Sequence, residues 1–191
     1  MMKKRVLLVL LFIISLHTSA FAYKGDNFFL FQCGYENFSR FPNDGYNFSV
    51  NFKHYLNERT YAIANFHAGL SNMERKGEIL STSDSYYDLN NKQRDYMLGF
   101  GLGHDIFRKN RHVIYLQTTV GIGVTDLKRE NIELPEGNVN TIKDNNSTFA
   151  LSFSTGYDYQ LTDWLTIGVN YTGYQINYYK NTCNLRLGIK F

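Results

Sequence analysis

Apolar and polar residues alternate along the last nine residues of the chain. From Cys183 to Phe191, every odd-numbered residue is apolar and every even-numbered residue is polar or glycine. A period of two residues indicates a β-strand with one apolar and one polar face. Seven further segments repeat this alternation, so the sequence predicts an all-β chain with eight strands. The predicted strands span residues 28–38, 46–54, 61–70, 95–106, 114–124, 149–159, 165–174 and 178–191.

The predicted connections alternate in length. Those after the second, fourth and sixth strands are short, and those after the first and seventh are intermediate. Residues 71–94 and 126–147 form two long polar segments. Short periplasmic turns and longer outer loops are typical of outer-membrane barrels. The sequence therefore predicts an eight-stranded antiparallel up-and-down transmembrane β-barrel whose apolar face meets lipid. The alternative, a soluble barrel or sandwich, would force the larger and more aromatic face into a narrow interior.

The first 22 residues have the features of a secretory signal peptide. Three basic residues lie between Met1 and Arg5, an apolar run covers residues 6–16, and Ala20 and Ala22 form a small-residue cleavage site. This run is too short for a membrane-spanning helix, which needs about 20 residues. We predict cleavage after Ala22, which assigns residues 23–191 to the barrel domain.

Removal of this leader makes the chain formally neutral. The full chain has 20 Lys and Arg against 17 Asp and Glu, and Lys3, Lys4 and Arg5 belong to the leader. The mature chain therefore holds 17 residues of each sign, so the pI of 8.7 does not indicate a nucleic-acid partner.

Aromatic residues are abundant, although the chain as a whole is polar. They form 16% of the chain, while the mean hydropathy is −0.34. A membrane barrel combines the two, because every second strand residue faces a polar interior. Many rings fall near strand ends, which predicts a girdle at each membrane interface. They include Tyr55, Tyr61 and Trp164 at one end and Tyr35, Tyr96 and Tyr174 at the other.

Strand parity places seven charged residues in the interior. Their signs nearly balance, which predicts a packed polar network, because buried charges need partners. The alternative is a proton or ion path, but an eight-stranded barrel has room for side chains rather than for a channel. The predicted interior network consists of Glu36, Lys53, Asp95, Asp105, Asp158, Arg186 and Lys190.

Three other features carry open alternatives. Cys33 and Cys183 lie on the apolar parity of the first and last strands. They either form a disulfide, which requires Cα atoms within about 7 Å, or face lipid as small apolar residues.

The basic turn at residues 108–112 either meets anionic headgroups of the inner leaflet or is simply solvated. Tyr86 and Tyr87, in the first long segment, are candidate surface-loop contacts, because tyrosine is enriched at interfaces. The alternative is that the two long segments extend the barrel as protruding strands and bind nothing specific.

The chain carries a weak suggestion of hydrolase chemistry. His67 and Ser71 could form a catalytic pair with Asp95 as orienter, but this spacing is not specific. We therefore assign no catalytic residue. No cysteine–histidine cluster or acidic loop spacing suggests a metal site, and no cofactor is predicted.

The final strand, which ends on Phe191, resembles the C-terminal assembly signal of bacterial outer-membrane barrels. The mature chain as a whole resembles small barrels of the OmpA-transmembrane-domain, OmpX and Ail type. This resemblance implies residence in a Gram-negative outer membrane and contact with outer-membrane lipid and lipopolysaccharide. It also implies recognition of the C-terminal strand by the barrel assembly machinery.

The resemblance further implies a non-enzymatic protein whose surface loops serve adhesion, host contact or envelope integrity. A lipid A-modifying acyl hydrolase or transferase is the alternative, and a small pore is a third. Barrels that deacylate lipid A, of the PagL type, carry a His-x-Ser pair on a strand, and the mature chain has no such pair. We therefore expect a binding or structural barrel rather than an enzyme.

Overall fold

The computed structural model describes residues 25–38, 43–74, 86–133 and 138–191. These residues form antiparallel strands, each paired with its neighbours in sequence, and β1 also pairs with β8 to close the barrel. The strands are β1 Asn27–Phe38, β2 Asn43–Tyr55, β3 Thr60–Glu74, β4 Tyr86–Lys109, β5 His112–Glu133, β6 Asn138–Gln160, β7 Leu165–Ile176 and β8 Tyr178–Lys190. The predicted signal peptide lies outside the described residues. Among the described residues, no helix has the length and apolar character needed to span a membrane.

The barrel wall follows the predicted alternation. Apolar side chains project outward, and Phe100, Ile122 and Leu185 are each more than 60% exposed. Polar side chains between them are buried in the interior. This arrangement is the inverse of a soluble protein and matches a sheet whose outer surface meets lipid. The predicted eight-stranded up-and-down barrel is confirmed.

Strands β4, β5 and β6 are much longer than the others. They contain 24, 22 and 23 residues, whereas the remaining strands contain 12 to 15. The prediction of two long loops at residues 71–94 and 126–147 was therefore wrong for residues 71–74, 86–94, 126–133 and 138–147, where the alternative of protruding strands is confirmed. Residues 141–147 of β6 are exposed on both faces, and because such a strand need not alternate, parity gave no signal there.

The connection between β7 and β8, at the outer end, is also shorter than predicted. A single residue, Asn177, joins β7 to β8, with Ile176 directly opposite Tyr178. Its φ of 55° lies in the left-handed region, which asparagine tolerates better than most residues. The predicted intermediate connection between these strands was therefore wrong.

Glycines on the inner wall make room for large side chains from other strands. A Cβ at Gly103 would collide with the ring of Tyr61, and one at Gly69 would collide with the carboxylate of Glu36. Both partners are fully buried. The interior is therefore filled by a few large side chains set against bare backbone.

A β-bulge changes the parity of β4 near its end. The register with β5 shifts between Asp105 and Phe107, so Ile106 and Phe107 are both exposed on the outside. Beyond the bulge, Arg108 turns inward and reaches Asp105. Bulges insert one extra residue and re-aim the side chains that follow.

The pairing of β1 with β8 runs from Phe28 opposite Lys190 to Phe38 opposite Lys180. Cys33 lies opposite Leu185, so it is offset by two residues from Cys183. Both cysteines are exposed on the outer face and neither forms a disulfide. They therefore take the predicted alternative of small apolar residues facing lipid.

Candidate functional site

The interior holds two groups of charged side chains. The first, here called the outer cluster, contains Glu36, His67, Asp95 and Lys180, near the end that carries the β7–β8 turn. The second, here called the periplasmic cluster, contains Lys53, Asp105, Arg108, Asp158 and Arg186, toward the end that carries the short turns after β2, β4 and β6. The names follow the rule that short turns face the periplasm.

In the outer cluster, His67 is held on both ring nitrogens. Its Nε2 lies 3.3 Å from Oε2 of Glu36, and its Nδ1 lies 3.0 Å from Oγ of Ser49. The ring also stacks on Tyr174, with centroids 4.0 Å apart. These contacts join β1, β2, β3 and β7 across the barrel interior.

The second ion pair of the outer cluster joins Asp95 of β4 to Lys180 of β8. Both side chains are completely buried. Nε2 of Gln93 donates a hydrogen bond to Oδ2 of Asp95 at 3.0 Å. A buried pair is favourable only when further polar contacts accompany the ion pair, and Gln93 supplies one.

In the periplasmic cluster, Asp105 accepts two hydrogen bonds on one oxygen. The hydroxyl of Tyr55 donates to its Oδ2 at 3.0 Å, and Nη2 of Arg108 donates to the same atom at 2.6 Å. Arg108 also donates to the hydroxyl of Tyr55 at 2.8 Å. The guanidinium is thus anchored on a carboxylate and a phenol together.

The other two cations of this cluster lie against aromatic faces. Nζ of Lys53 lies 4.1 Å from the ring centre of Tyr61 and 4.3 Å from that of Tyr115. The guanidinium of Arg186 lies 4.5 Å from the Tyr115 ring, and its Nε is 3.5 Å from Oδ1 of Asp158. These distances are within the range of cation–π attraction.

Six of the seven predicted network residues lie in the interior, and the seventh lies at its rim. Lys190 is partly exposed, and its Nζ lies 2.7 Å from Oδ2 of Asp26. Parity identified its face correctly but contains no information on depth. The buried residues are Glu36, Lys53, Asp95, Asp105, Asp158 and Arg186.

Several interior residues were missed. Lys180 shares the parity of Arg186 and could have been found from it, whereas Arg108 could not, because the bulge inverts its parity. Tyr55, Tyr61 and Tyr174 were assigned to the interfacial girdles, and this assignment was wrong because all three are buried inside. They pack around buried cations and His67.

The candidate hydrolase residues are not brought together. Oγ of Ser71 donates to the backbone oxygen of Asp44 at 3.2 Å, and Asp95 pairs with Lys180. Instead, His67 lies between Ser49 and Glu36, and all three are completely buried. Among the described residues, no group of three or more His, Cys, Asp or Glu side chains could hold a metal ion.

A cavity of about 40 Å³ lies at the periplasmic end of the interior. Its lining includes Lys53, Tyr55, Arg108 and Asp158. Because one water needs roughly 10–15 Å³ measured in this way, the cavity accommodates only a few water molecules.

At the outer end, β4, β5 and β6 continue together as a three-stranded sheet, here called the extension. Tyr86 pairs with Glu133 and Tyr87 with Ile132, so the predicted surface-loop placement of these tyrosines was wrong. They lie in β4, and their role as contact residues stays a prediction. Within the described part of the chain, residues 138–150 of β6 pair with β5 alone, because pairing with β7 begins only at Leu151.

Comparison with known proteins finds no matching family and no matching curated protein. Solved structures do match. Neisserial surface protein A has a TM-score of 0.62 at 11% identity, covering 87% of this chain and 97% of that one. Ail, the attachment invasion locus protein of Yersinia pestis, solved with the heparin analogue sucrose octasulfate, has a TM-score of 0.56 at 15% identity, covering 88% and 99%. The outer membrane protease OmpT of Escherichia coli has a TM-score of 0.50 at 10% identity, covering 92% and 99%.

These likenesses establish the fold. The chain is a small outer-membrane β-barrel, as the sequence predicted, and the apolar outer wall agrees with a location in an outer membrane.

Proposed function

We propose that this barrel is a non-enzymatic surface protein and that the extension is its contact platform. The strand lengths carry the proposal. A tilted strand needs about 9–11 residues to cross a membrane, whereas β4, β5 and β6 have 24, 22 and 23. The excess of roughly 11–15 residues per strand corresponds to roughly 35–50 Å of strand that crossing the membrane does not require.

The extension offers an edge for recognition. Along residues 138–150, β6 has a strand partner on one side only within the described residues. Such an edge can accept an extended peptide as an additional strand, with main-chain hydrogen bonds giving affinity. Exposed Lys143 and Asp144 lie on this segment, and charges on an edge discourage unspecific self-association.

The names of two fold neighbours support this class of function. One is called a surface protein and the other an attachment invasion locus protein. At 11% and 15% identity they suggest no particular ligand for this chain. The proposal therefore concerns the surface used, and the partner is left to the experiment.

Trimming the extension tests the proposal. One Asn-Gly turn would join Asn72 to Lys92, and a second would join Lys128 to Lys143. Each of these pairs faces directly across a hairpin, so register is preserved. Bacteria displaying the full chain should adhere to cultured epithelial cells or to immobilised fibronectin, laminin or heparin, and bacteria displaying the trimmed chain should not.

The control replaces residues 39–42, in the β1–β2 connection, with Gly and Ser and should adhere normally. Gel migration with and without heating checks that every variant is folded. Undiminished adhesion by the trimmed chain, or no adhesion by the full chain to any of these surfaces, would refute the proposal.

An enzyme is the second candidate, and one contact favours it. Ser49 forms a hydrogen bond with His67, whose Nε2 lies 3.3 Å from Oε2 of Glu36, and these three residue types also occur together in hydrolases. OmpT, a protease by name, also shares the fold. Complete burial of the three side chains weighs against it, since a substrate must reach the serine.

We expect the mass spectrum of lipid A to be unchanged after incubation with the refolded protein. An acyl change that Ser49→Ala abolishes would instead establish the enzyme.

A further inference from the structure

Three lysines form a row across the base of the extension. Lys92 of β4 lies directly opposite Lys128 of β5, which lies directly opposite Lys143 of β6. Directly opposed residues point to the same face of a sheet. Buried Gln93 and Leu127, one position away on their strands, point inward, so the lysine row is on the outer face.

The row lies a short distance above the lipid-facing band. Two rows nearer the membrane, Tyr96 lies opposite Val124, and the next row is wholly apolar, with Leu98, Ile122 and Phe149 exposed. Four residues of strand separate Lys92 from Tyr96, which is about 13 Å along the strand. With a strand tilt of roughly 40°, the row lies about 10 Å above the Tyr96 row. Lysine side chains at this height reach the headgroup layer.

The row is an unfavourable arrangement for the protein alone. Like charges directly opposite each other across strands are destabilising. Glu130 lies 2.5 Å from Nζ of Lys128, but among the described residues no acidic side chain forms an ion pair with Lys92 or Lys143. Exposed Arg94, opposite Asp126, adds a further cation between the row and the apolar band.

We infer that the lysine row binds phosphate groups of outer-leaflet lipid, which in this membrane means the phosphorylated lipid A part of lipopolysaccharide. Phosphate supplies the negative charge that Lys92 and Lys143 lack among the described residues, and a lipid presents it at the height of the row. The band below the row meets the acyl chains of the same molecule. This inference is independent of the proposed surface contact, because the trimmed variant described above retains all three lysines.

Lipid binding by the refolded mature chain in phosphatidylcholine nanodiscs tests the inference. Native mass spectrometry would compare bisphosphorylated lipid A with the same lipid after phosphatase treatment. We expect at least tenfold preference for the phosphorylated form. Lys92→Gln/Lys143→Gln should weaken its binding about thirtyfold, because each of the two lysines near a charged surface contributes on the order of 1 kcal/mol.

The matched control keeps both positive charges of the row. Lys92→Arg/Lys143→Arg should bind lipid A at least as tightly as the unmodified chain. Equal loss in both double variants, or no loss in the first, would overturn the inference. Competition by millimolar inorganic phosphate would assign the row to free anions and overturn it as well. A trimmed variant that no longer adheres but still binds lipid A normally would show that the two proposals concern different sites.

A charge reversal distinguishes binding from a structural role. Lys92→Glu/Lys143→Glu converts both like-charge contacts of Lys128 into opposite-charge contacts. Without lipid A, this variant should melt at the same temperature as the unmodified barrel or higher, and added lipid A should no longer raise its melting temperature. A lower melting temperature in the absence of lipid A would show that the row stabilises the sheet itself.

Discussion

The outer and periplasmic clusters both bury cations inside one narrow barrel, but they surround them with different groups. In the outer cluster, Lys180 faces a carboxylate on the opposite strand, and His67 lies between Glu36 and Ser49. In the periplasmic cluster, Lys53 lies against two tyrosine faces, and Arg186 shares one of them.

This difference concerns how a buried charge is compensated. A carboxylate gives a strong attraction that disappears completely when one partner is removed. An aromatic face gives a weaker attraction, but it also fills space and needs no desolvation of a second ion. The outer cluster should therefore be brittle toward single substitutions, and the periplasmic cluster should tolerate them better. Urea unfolding in lipid vesicles, followed by the fluorescence of the single tryptophan, Trp164, measures this difference.

The largest effect is expected from Asp95→Asn. It leaves Lys180 buried without the carboxylate that faces it, so we expect a loss of about 4 kcal/mol in the free energy of unfolding. Asp95→Asn/Lys180→Met should recover most of this loss, because it removes the buried charge together with its partner. A double variant as unstable as the single one would show that the pair is not the unit of stability.

A smaller loss, about 2 kcal/mol, is expected from Asp105→Asn. Arg108 is 18% exposed and retains its hydrogen bond to Tyr55, so its charge keeps some compensation. Urea unfolding of Asp105→Asn under the same conditions as Asp95→Asn gives the ratio of the two losses in the free energy of unfolding. Equal losses for the two substitutions would remove the distinction between the clusters.

Tyr115→Leu tests how much an aromatic face contributes to the periplasmic cluster. It removes the buried ring shared by Lys53 and Arg186, and two cation–π contacts of about 0.5–1 kcal/mol each give an expected loss of about 1.5 kcal/mol. Tyr115→Phe, which keeps the ring, is the control and should lose less than about 0.5 kcal/mol. If both variants lose the same amount, the hydroxyl rather than the ring is responsible.

The smallest effect is expected at the rim. Asp26→Asn breaks the partly exposed pair with Lys190, and exposed ion pairs contribute at most about 1 kcal/mol. Raising the salt concentration should reduce even this difference, whereas it should barely alter the effect of Asp95→Asn. A large, salt-independent loss at Asp26 would place the pair within the interior network.

Much of this architecture could be predicted from alternation alone. Because the side-chain period of a strand is two, one apolar face determines the other, and buried Glu36, Lys53 and Asp95 followed directly from their parity. The burial of Lys180 could have been predicted from its parity in the same way. The barrel wall and most of its contents are thus a local property of the sequence.

The parts of the architecture that could not be predicted depend on features that leave no pattern in the local sequence. The bulge at Asp105 turns Arg108 inward, and no residue type in that segment predicts the bulge. Parity also contains no depth, so Lys190 was grouped with the interior although it lies at the rim. The extension was predicted as two long loops, with protruding strands as the alternative, because its sequence lacks the alternation of apolar and polar residues. The lysine row appears only once the register of three strands is known.

The pairing of β1 with β8 has a consequence for the kinetics of folding. Every other strand pair is a hairpin between neighbours in sequence, whereas this one joins Phe28 to Lys190 across almost the whole described chain. The entropy of closing so long a loop is lost before the contacts form, so ring closure should be the slow step. Until it occurs, both β1 and β8 present open edges to other chains. Substitutions along this one junction should therefore change the rate of folding and the yield of monomer more than the final stability.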